Sequence, residues 1–307
     1  MIKPAHLILL CLLAVLPVYA GEDDVSTSPD PQDTIRFRVI RENLTVQVAY
    51  VRQSTAFTLG LGSAHRADTY LTPLHYDGWN IDANFEHFHL FKSKFNLLWA
   101  LNLGLDFDRT KNQVRNSAML GAQFEGRWAL LWRKSLGWRT LFGRTICWQV
   151  GAGGSTTLDA GALYLSRNGN NPVAANASWT LDLSGYAALT FKIGKLPVNA
   201  LYRATLPVGG VMFAPDYGQL YYEIYLGDRK GIFTGAYWGR YFRLDQNITF
   251  DFKIGKRWLR AGYGVDILST KVHDIVSRRI SHNFVIGIST DWLWSASPEV
   301  LKEWFGK

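Results

Sequence analysis

Residues 96–108 read Asn96-Leu97-Leu98-Trp99-Ala100-Leu101-Asn102-Leu103-Gly104-Leu105-Asp106-Phe107-Asp108. The odd positions from Leu97 to Phe107 are all apolar, whereas Asn96, Asn102, Asp106 and Asp108 fall on even ones. Side chains alternate across a strand, so this stretch predicts one greasy face and one wet face. It is long for a soluble strand, typically about 5–6 residues, and fits the roughly 9–11 that cross a bilayer.

The same pattern recurs along the chain. In Gly78–Phe91, Ile81, Ala83 and Phe85 alternate with Asp82, Asn84 and Glu86; in Ser117–Trp132, Leu120, Ala122, Phe124, Trp128, Leu130 and Trp132 oppose Gly121, Gln123, Glu125 and Arg127. Ala56–Leu61 reads as a short Gly-rich strand, and Ile146–Ala152 as another. Further strands are expected over Trp179–Ile193, Val198–Leu206, Leu220–Leu226, Ile248–Ile254, Leu259–Ile267 and Ser281–Trp292. Gly194-Lys195 and Gly255-Lys256 supply tight turns, whereas 166–176 is a longer polar loop. The reading is an all-β, antiparallel transmembrane β-barrel of about 12 strands over residues 35–294; the segment 35–51 is either a first strand or a periplasmic element. A soluble β-sandwich is the competing architecture, with the apolar faces buried and the polar faces wet.

Composition agrees with membrane strands. Of 307 residues, 48% are hydrophobic and 14% aromatic, including 12 Trp and 14 Tyr, yet mean hydropathy is −0.04. Interleaved lipid-facing and polar residues, with aromatic girdles, give that combination. The N-terminus, with Lys3, the apolar run Leu7–Leu16 and a small-residue pattern ending at Ala20, reads as a signal peptide over 1–20. An acidic Ser/Thr/Pro leader over 21–34 follows, and residues 295–307 form an amphipathic tail. Export implies an outer-membrane location, with membrane lipid and lipopolysaccharide as surroundings and a small solute as a possible passenger.

Removing the signal leaves a charge of about +7 and one cysteine, Cys147, so no intramolecular disulfide is available. The basic residues are too dispersed for a nucleic-acid face. No C-x-x-C pair, phosphate-cradling Gly loop or G-x-S-x-G elbow is present, and no cofactor or metal is expected.

With apolar faces toward lipid, the opposite faces assemble a lumen containing Asp106, Glu125, Arg127, Asp182, Arg203, Glu223, Asp251, Lys253, Arg260 and Asp266. Acids and bases in similar number are expected to pair across it, because buried charges need partners. This favours a small pore or a structural or binding protein of the envelope. The alternative is an outer-membrane lipid hydrolase using Ser, His and Asn or Asp near the rim. His87, His89 and His282 are its histidine candidates; alternation places His282 opposite to Ser281 and Asn283.

The block Leu206-Pro207-Val208-Gly209-Gly210-Val211-Met212-Phe213-Ala214-Pro215-Asp216-Tyr217-Gly218-Gln219, followed by Tyr221-Tyr222-Glu223-Ile224, resembles an uncharacterised family of Bacteroidetes outer-membrane proteins, a domain of unknown function. Asp68-Thr69-Tyr70-Leu71-Thr72-Pro73-Leu74 and Asn171-Pro172-Val173-Ala174-Ala175-Asn176 are similar to further landmarks of that family. The resemblance implies an outer-membrane barrel and supplies no reaction, substrate or catalytic residue. From its prolines and glycines, the Leu206–Gln219 block is expected to be a turn-rich connection.

Overall fold

The computed structural model describes residues 34–38, 45–50, 53–91, 96–141, 144–169, 172–216, 221–227, 230–254, 257–290 and 295–296. The signal peptide, nearly all of the leader and the tail beyond Ala296 lie outside the described residues. Two bodies are present. In the smaller, β1 (Thr34–Arg38) pairs antiparallel with β2 (Thr45–Tyr50), and β2 pairs with β14 (Ser295–Ala296).

The larger body is a closed antiparallel ring. Its strands are β3 (Gln53–Asp68), β4 (Thr72–Leu90), β5 (Leu97–Asn112), β6 (Ala118–Leu141), β7 (Arg144–Leu165), β8 (Val173–Ile193), β9 (Leu196–Phe213), β11 (Tyr241–Ile254), β12 (Arg257–Val272) and β13 (Ile275–Ser289). Each pairs with its successor, and β13 closes on β3 with Ser277 opposite Asp68 and Ser289 opposite Ala56. The ring therefore has ten strands, not twelve, and begins at Gln53. Closure gives every strand of the ring a partner on both sides over at least part of its length and excludes the sandwich.

The count falls because the strands are longer than their clearest alternating cores. Ala56–Leu61 is part of a 16-residue strand, and Ile146–Ala152 part of a 22-residue one. Leu220–Leu226, expected as a strand, contains the helix α1 (Tyr221–Leu226) in the long connection after β9. Its residues are apolar on both alternating faces apart from Glu223, so period two is not resolved there. The Leu206–Gln219 block also departs from expectation, because β9 continues through it to Phe213.

That continuation has an irregular wall. Leu181 faces Gly209 and Asp182 faces Pro207, which leaves Val208 as an extra residue. On its other edge β9 pairs with β11 over Val198–Thr205, whereas Gly210–Phe213 pairs with β10 (Phe233–Ala236), a short strand outside the ring. Pro207 has no N–H to donate, and its carbonyl accepts from Trp238 Nε1 at 2.6 Å.

The two faces of the ring are inverted relative to a soluble protein. Leu61, Leu183, Phe284 and Ile286 are 60–73% exposed, whereas Asn80, Asp251 and Arg260 are at most 1% exposed. Inward-facing glycines make room for the polar interior. A Cβ at Gly60 would meet the Asp82 carboxylate, one at Gly121 that of Asp108, and one at Gly151 the ring of Tyr186 lying across it. Gly151→Val is therefore expected to destabilise the refolded barrel by about 1–3 kcal/mol through overpacking. A urea midpoint in detergent equal to that of the unsubstituted protein would contradict this packing.

Candidate functional site

Interior charges are placed by the alternation that points apolar side chains outward. Arg243 on β11 donates to Asp159 on β7 at 2.9 Å and to Asp266 on β12 at 3.1 Å, and it also pairs with Glu125 on β6. Arg127 on β6 reaches across the ring to Asp245 on β11 at 2.5 Å and holds Glu125 at 2.8 Å. Arg279 on β13 adds a second guanidinium to Asp266 and lies 4.0 Å from Asp159.

A second set crosses nearer the end that carries Gln53 and Ser289. Glu86 on β4 accepts from Arg260 on β12 at 2.6 Å and from Arg203 on β9, five strands away around the ring. Arg260 also clasps Asp251 with two bonds of 2.7 and 2.9 Å, and Ser289 Oγ donates to the same carboxylate at 2.8 Å. A planar guanidinium suits such bidentate pairing. Toward the opposite end, Arg66 on β3 pairs with Asp108 on β5 and lies 3.8 Å from Asp106.

Nine of the ten sequence-derived positions thus face the interior: Asp106, Glu125, Arg127, Asp182, Arg203, Asp251, Lys253, Arg260 and Asp266. Asp182 accepts from Thr157 Oγ1 at 2.6 Å and Ser155 Oγ at 3.4 Å. Lys253 lies beside the interior tryptophan Trp258, with Nζ 6.0 Å from the ring centroid. Glu223 belongs to α1 and is not on a barrel strand, and its side chain lies outside the described residues. The network also contains Arg66, Glu86, Asp108, Asp159, Arg243, Asp245 and Arg279. Most of these sit where a strand runs past its clearest core, and continuing the period of two would have reached them.

The space left inside is divided. One cavity of about 120 Å3 is bordered by Asp82, Asn84, Asp106, Asn247, Asp266 and Asn283. A second of about 90 Å3, toward the end away from Gln53, is bordered by Tyr70, Met212, Phe213, Tyr241, Leu268 and Val272. A third of about 40 Å3 adjoins Phe88, Arg127, Tyr186 and Arg203. Among the described residues, no group of three or more His, Cys, Asp and Glu side chains is arranged to hold a metal ion.

The three candidate histidines face outward. His87 Nδ1 lies 2.9 Å from Thr55 Oγ1 and its ring packs on Trp99. His89 Nδ1 accepts from Gln53 Nε2 at 3.2 Å and its ring packs on Phe91. His282 is outward, opposite to the faces of Ser281 and Asn283 as alternation requires, with Nδ1 2.9 Å from the Tyr263 hydroxyl.

Among solved structures, the chain is similar to Neisserial surface protein A at 9% identity and a TM-score of 0.28, covering 78% of this chain and 97% of that one. It is similar to the translocator domain of an autotransporter from Neisseria meningitidis at 8% identity and 0.27, covering 82% and 91%. It is likewise similar to an outer membrane channel from Pseudomonas putida F1 at 12% identity and 0.29, covering 85% and 100%. No curated protein matches the chain. Residues 6–296 match one family across nearly the whole sequence, and the chain belongs to that family, described as a protein of unknown function (DUF3316).

Proposed function

We propose that this chain is an outer-membrane β-barrel whose lumen is closed by its own charges, and that it serves the envelope as a structural or binding protein rather than as an open pore. The outward apolar band supports the membrane reading. Strands of 14–24 residues are long enough to cross the hydrocarbon and extend beyond it. Membrane lipid and lipopolysaccharide then surround the barrel, and export by a cleaved signal peptide brings it there.

The observation that carries the closed lumen is the set of guanidinium bridges from opposite walls. Arg203 and Arg260 converge on Glu86, Arg243 reaches Glu125, and Arg127 reaches Asp245. Long side chains that meet in mid-lumen occupy the path a solute would take.

In planar bilayers the refolded mature protein is expected to be electrically silent, and the double substitution Arg203→Ala, Arg243→Ala to introduce discrete conductance steps. Stable steps from the unsubstituted protein would overturn the closed reading and favour a conduit.

The same network predicts a stability pattern. Arg260→Met leaves Asp251 with the Ser289 hydroxyl but without its arginine, and Glu86 with Arg203 alone of its two, and is expected to cost about 3–5 kcal/mol in urea unfolding. Adding Asp251→Asn should recover part of that loss, since the two sites are coupled. Losses that simply add would show that the pair is not a unit.

A further inference from the structure

The outward face of β3 carries Phe57, Leu59 and Leu61, and then turns polar at Ser63 and His65. Ser63 stands opposite Trp79 of β4 and His282 of β13; His65 stands opposite Asp77 of β4 and Ile280 of β13. His65 Nδ1 and Asp77 Oδ1 are 2.6 Å apart. An ionised carboxylate only accepts, so the proton of this bond sits on Nδ1 and the lone pair of the ring on Nε2. Ser63 and His65, two apart on one strand face, have Cα atoms about 6.7 Å from each other. That is within reach of a serine hydroxyl and an extended imidazole.

The surroundings fit a water–lipid boundary. On the side toward Gln53 lie Leu61 at 62% and Phe284 at 73% exposure, and Trp79 at 48% stands level with Ser63, all outward. Arg109 and Lys111 of β5, also outward, stand opposite Trp79 and Asp77. Side chains of His65 and Asp77 are 50% and 70% exposed. His282 lies on the other flank of Ser63, its ring centroid 6.4 Å from that of His65.

We propose that Ser63, His65 and Asp77 form an outward-facing esterase site that hydrolyses the acyl esters of phosphate-bearing membrane lipids. The nucleophile, base and orienting carboxylate stand on adjacent strands in the order acyl transfer needs. Ser63 Oγ bonds to the ester carbonyl carbon while its proton passes to His65 Nε2. The carbon–oxygen bond to the alcohol then breaks, and His65 returns the proton to that leaving oxygen. Water attacks the acyl-serine, giving one proton to His65; the carbon–Oγ bond breaks, the serine is reprotonated and a fatty acid leaves. Asp77 is a positioning residue that holds the imidazole in the productive tautomer. His282 Nε2, protonated when Nδ1 accepts from the Tyr263 hydroxyl, is placed to donate to the oxygen that becomes negative. Arg109 and Lys111 supply the charge that draws a lipid phosphate to this rim.

The test uses the refolded mature chain in mixed micelles, with folding checked by heat-modifiability on gels. A fluorophosphonate probe is expected to label Ser63 and no other serine. Fatty-acid release is expected from either phosphatidylglycerol or a phosphorylated acyl-saccharide, and which of the two turns over identifies the source of the phosphate. Ser63→Ala should abolish labelling and lower turnover by about 1,000-fold or more. Asp77→Asn should slow both and Asp77→Glu should restore part of the rate; an interfacial ion pair alone predicts neither change. A folded protein that is not labelled, labelling that survives Ser63→Ala, or labelling with no release from either lipid would each overturn the proposal. None of these readouts depends on whether the lumen conducts.

Discussion

The Arg243 guanidinium pairs with carboxylates from β6, β7 and β12, and much of the barrel depends on arrangements of this kind. Ten strands enclose an interior in which long side chains from opposite walls meet. Moving an isolated charge into that space would cost several kcal/mol, so the acids and bases there have to find one another. Glu86 and Glu125 each accept from two arginines, and Asp251 adds a serine hydroxyl to its bidentate arginine. Each is thus satisfied on more than one side. Where the partners come from non-adjacent strands, as with Glu86 and Arg203, Glu125 and Arg243 or Asp245 and Arg127, the bonds act across the ring rather than along it, complementing the backbone ladder that holds neighbours together.

The ladder itself is weakest where the sequence makes it so. Between Thr205 and Gly210, β9 has no ladder partner on its β11 side, because Pro207 lacks a donor and Val208 is an inserted residue. The short strand β10 takes up the edge beyond this gap, and the Trp238 indole satisfies the Pro207 carbonyl. In a hydrocarbon environment an unsatisfied carbonyl costs several kcal/mol, which gives the tryptophan a structural reason to be there. The glycine pattern answers a related demand on the inside. Asp82 and Asp108 lie flat over Gly60 and Gly121 on neighbouring strands, which keeps carboxylates close to the wall and leaves the centre to the arginines.

Fold class was legible from alternation alone, because a membrane barrel writes its two faces in a period of two. Residues 96–108 show it, and Leu103, Leu105 and Phe107 do face outward. Strand count was less legible. Beyond the clearest cores the outward residues become polar as well, as at Ser63 and His65 on β3 or Arg109 on β5, so hydropathy no longer marks the strand although its geometry continues. Arg66 was missed for that reason, whereas Asp159, Arg243 and Arg279 lie beyond the bounds read for their strands although apolar outward residues such as Leu158, Phe242 and Ile280 stand next to them. Glu223 was misplaced for the opposite one, since a segment apolar at nearly every position carries no period to read. Which charges pair is a property of ring closure, and no local pattern places Arg203 against Glu86 across five strands.

Interior and exterior polar groups differ in what remains available on them. Within the lumen, Arg260 is 1% exposed and two carboxylates take up its donors, so its chemistry is consumed by structure. His65 is bonded to Asp77 through one nitrogen and its side chain is half exposed, so the other nitrogen is not taken up by that bond. A residue needed merely to end the apolar band would be served by any polar side chain, and Thr55 does this at the other end of the same strand. A serine two residues from an imidazole whose tautomer is fixed by a carboxylate specifies more than polarity. On the esterase proposal, the hydroxyl, the base and its carboxylate partner all stand on the outer wall of this barrel rather than in its lumen.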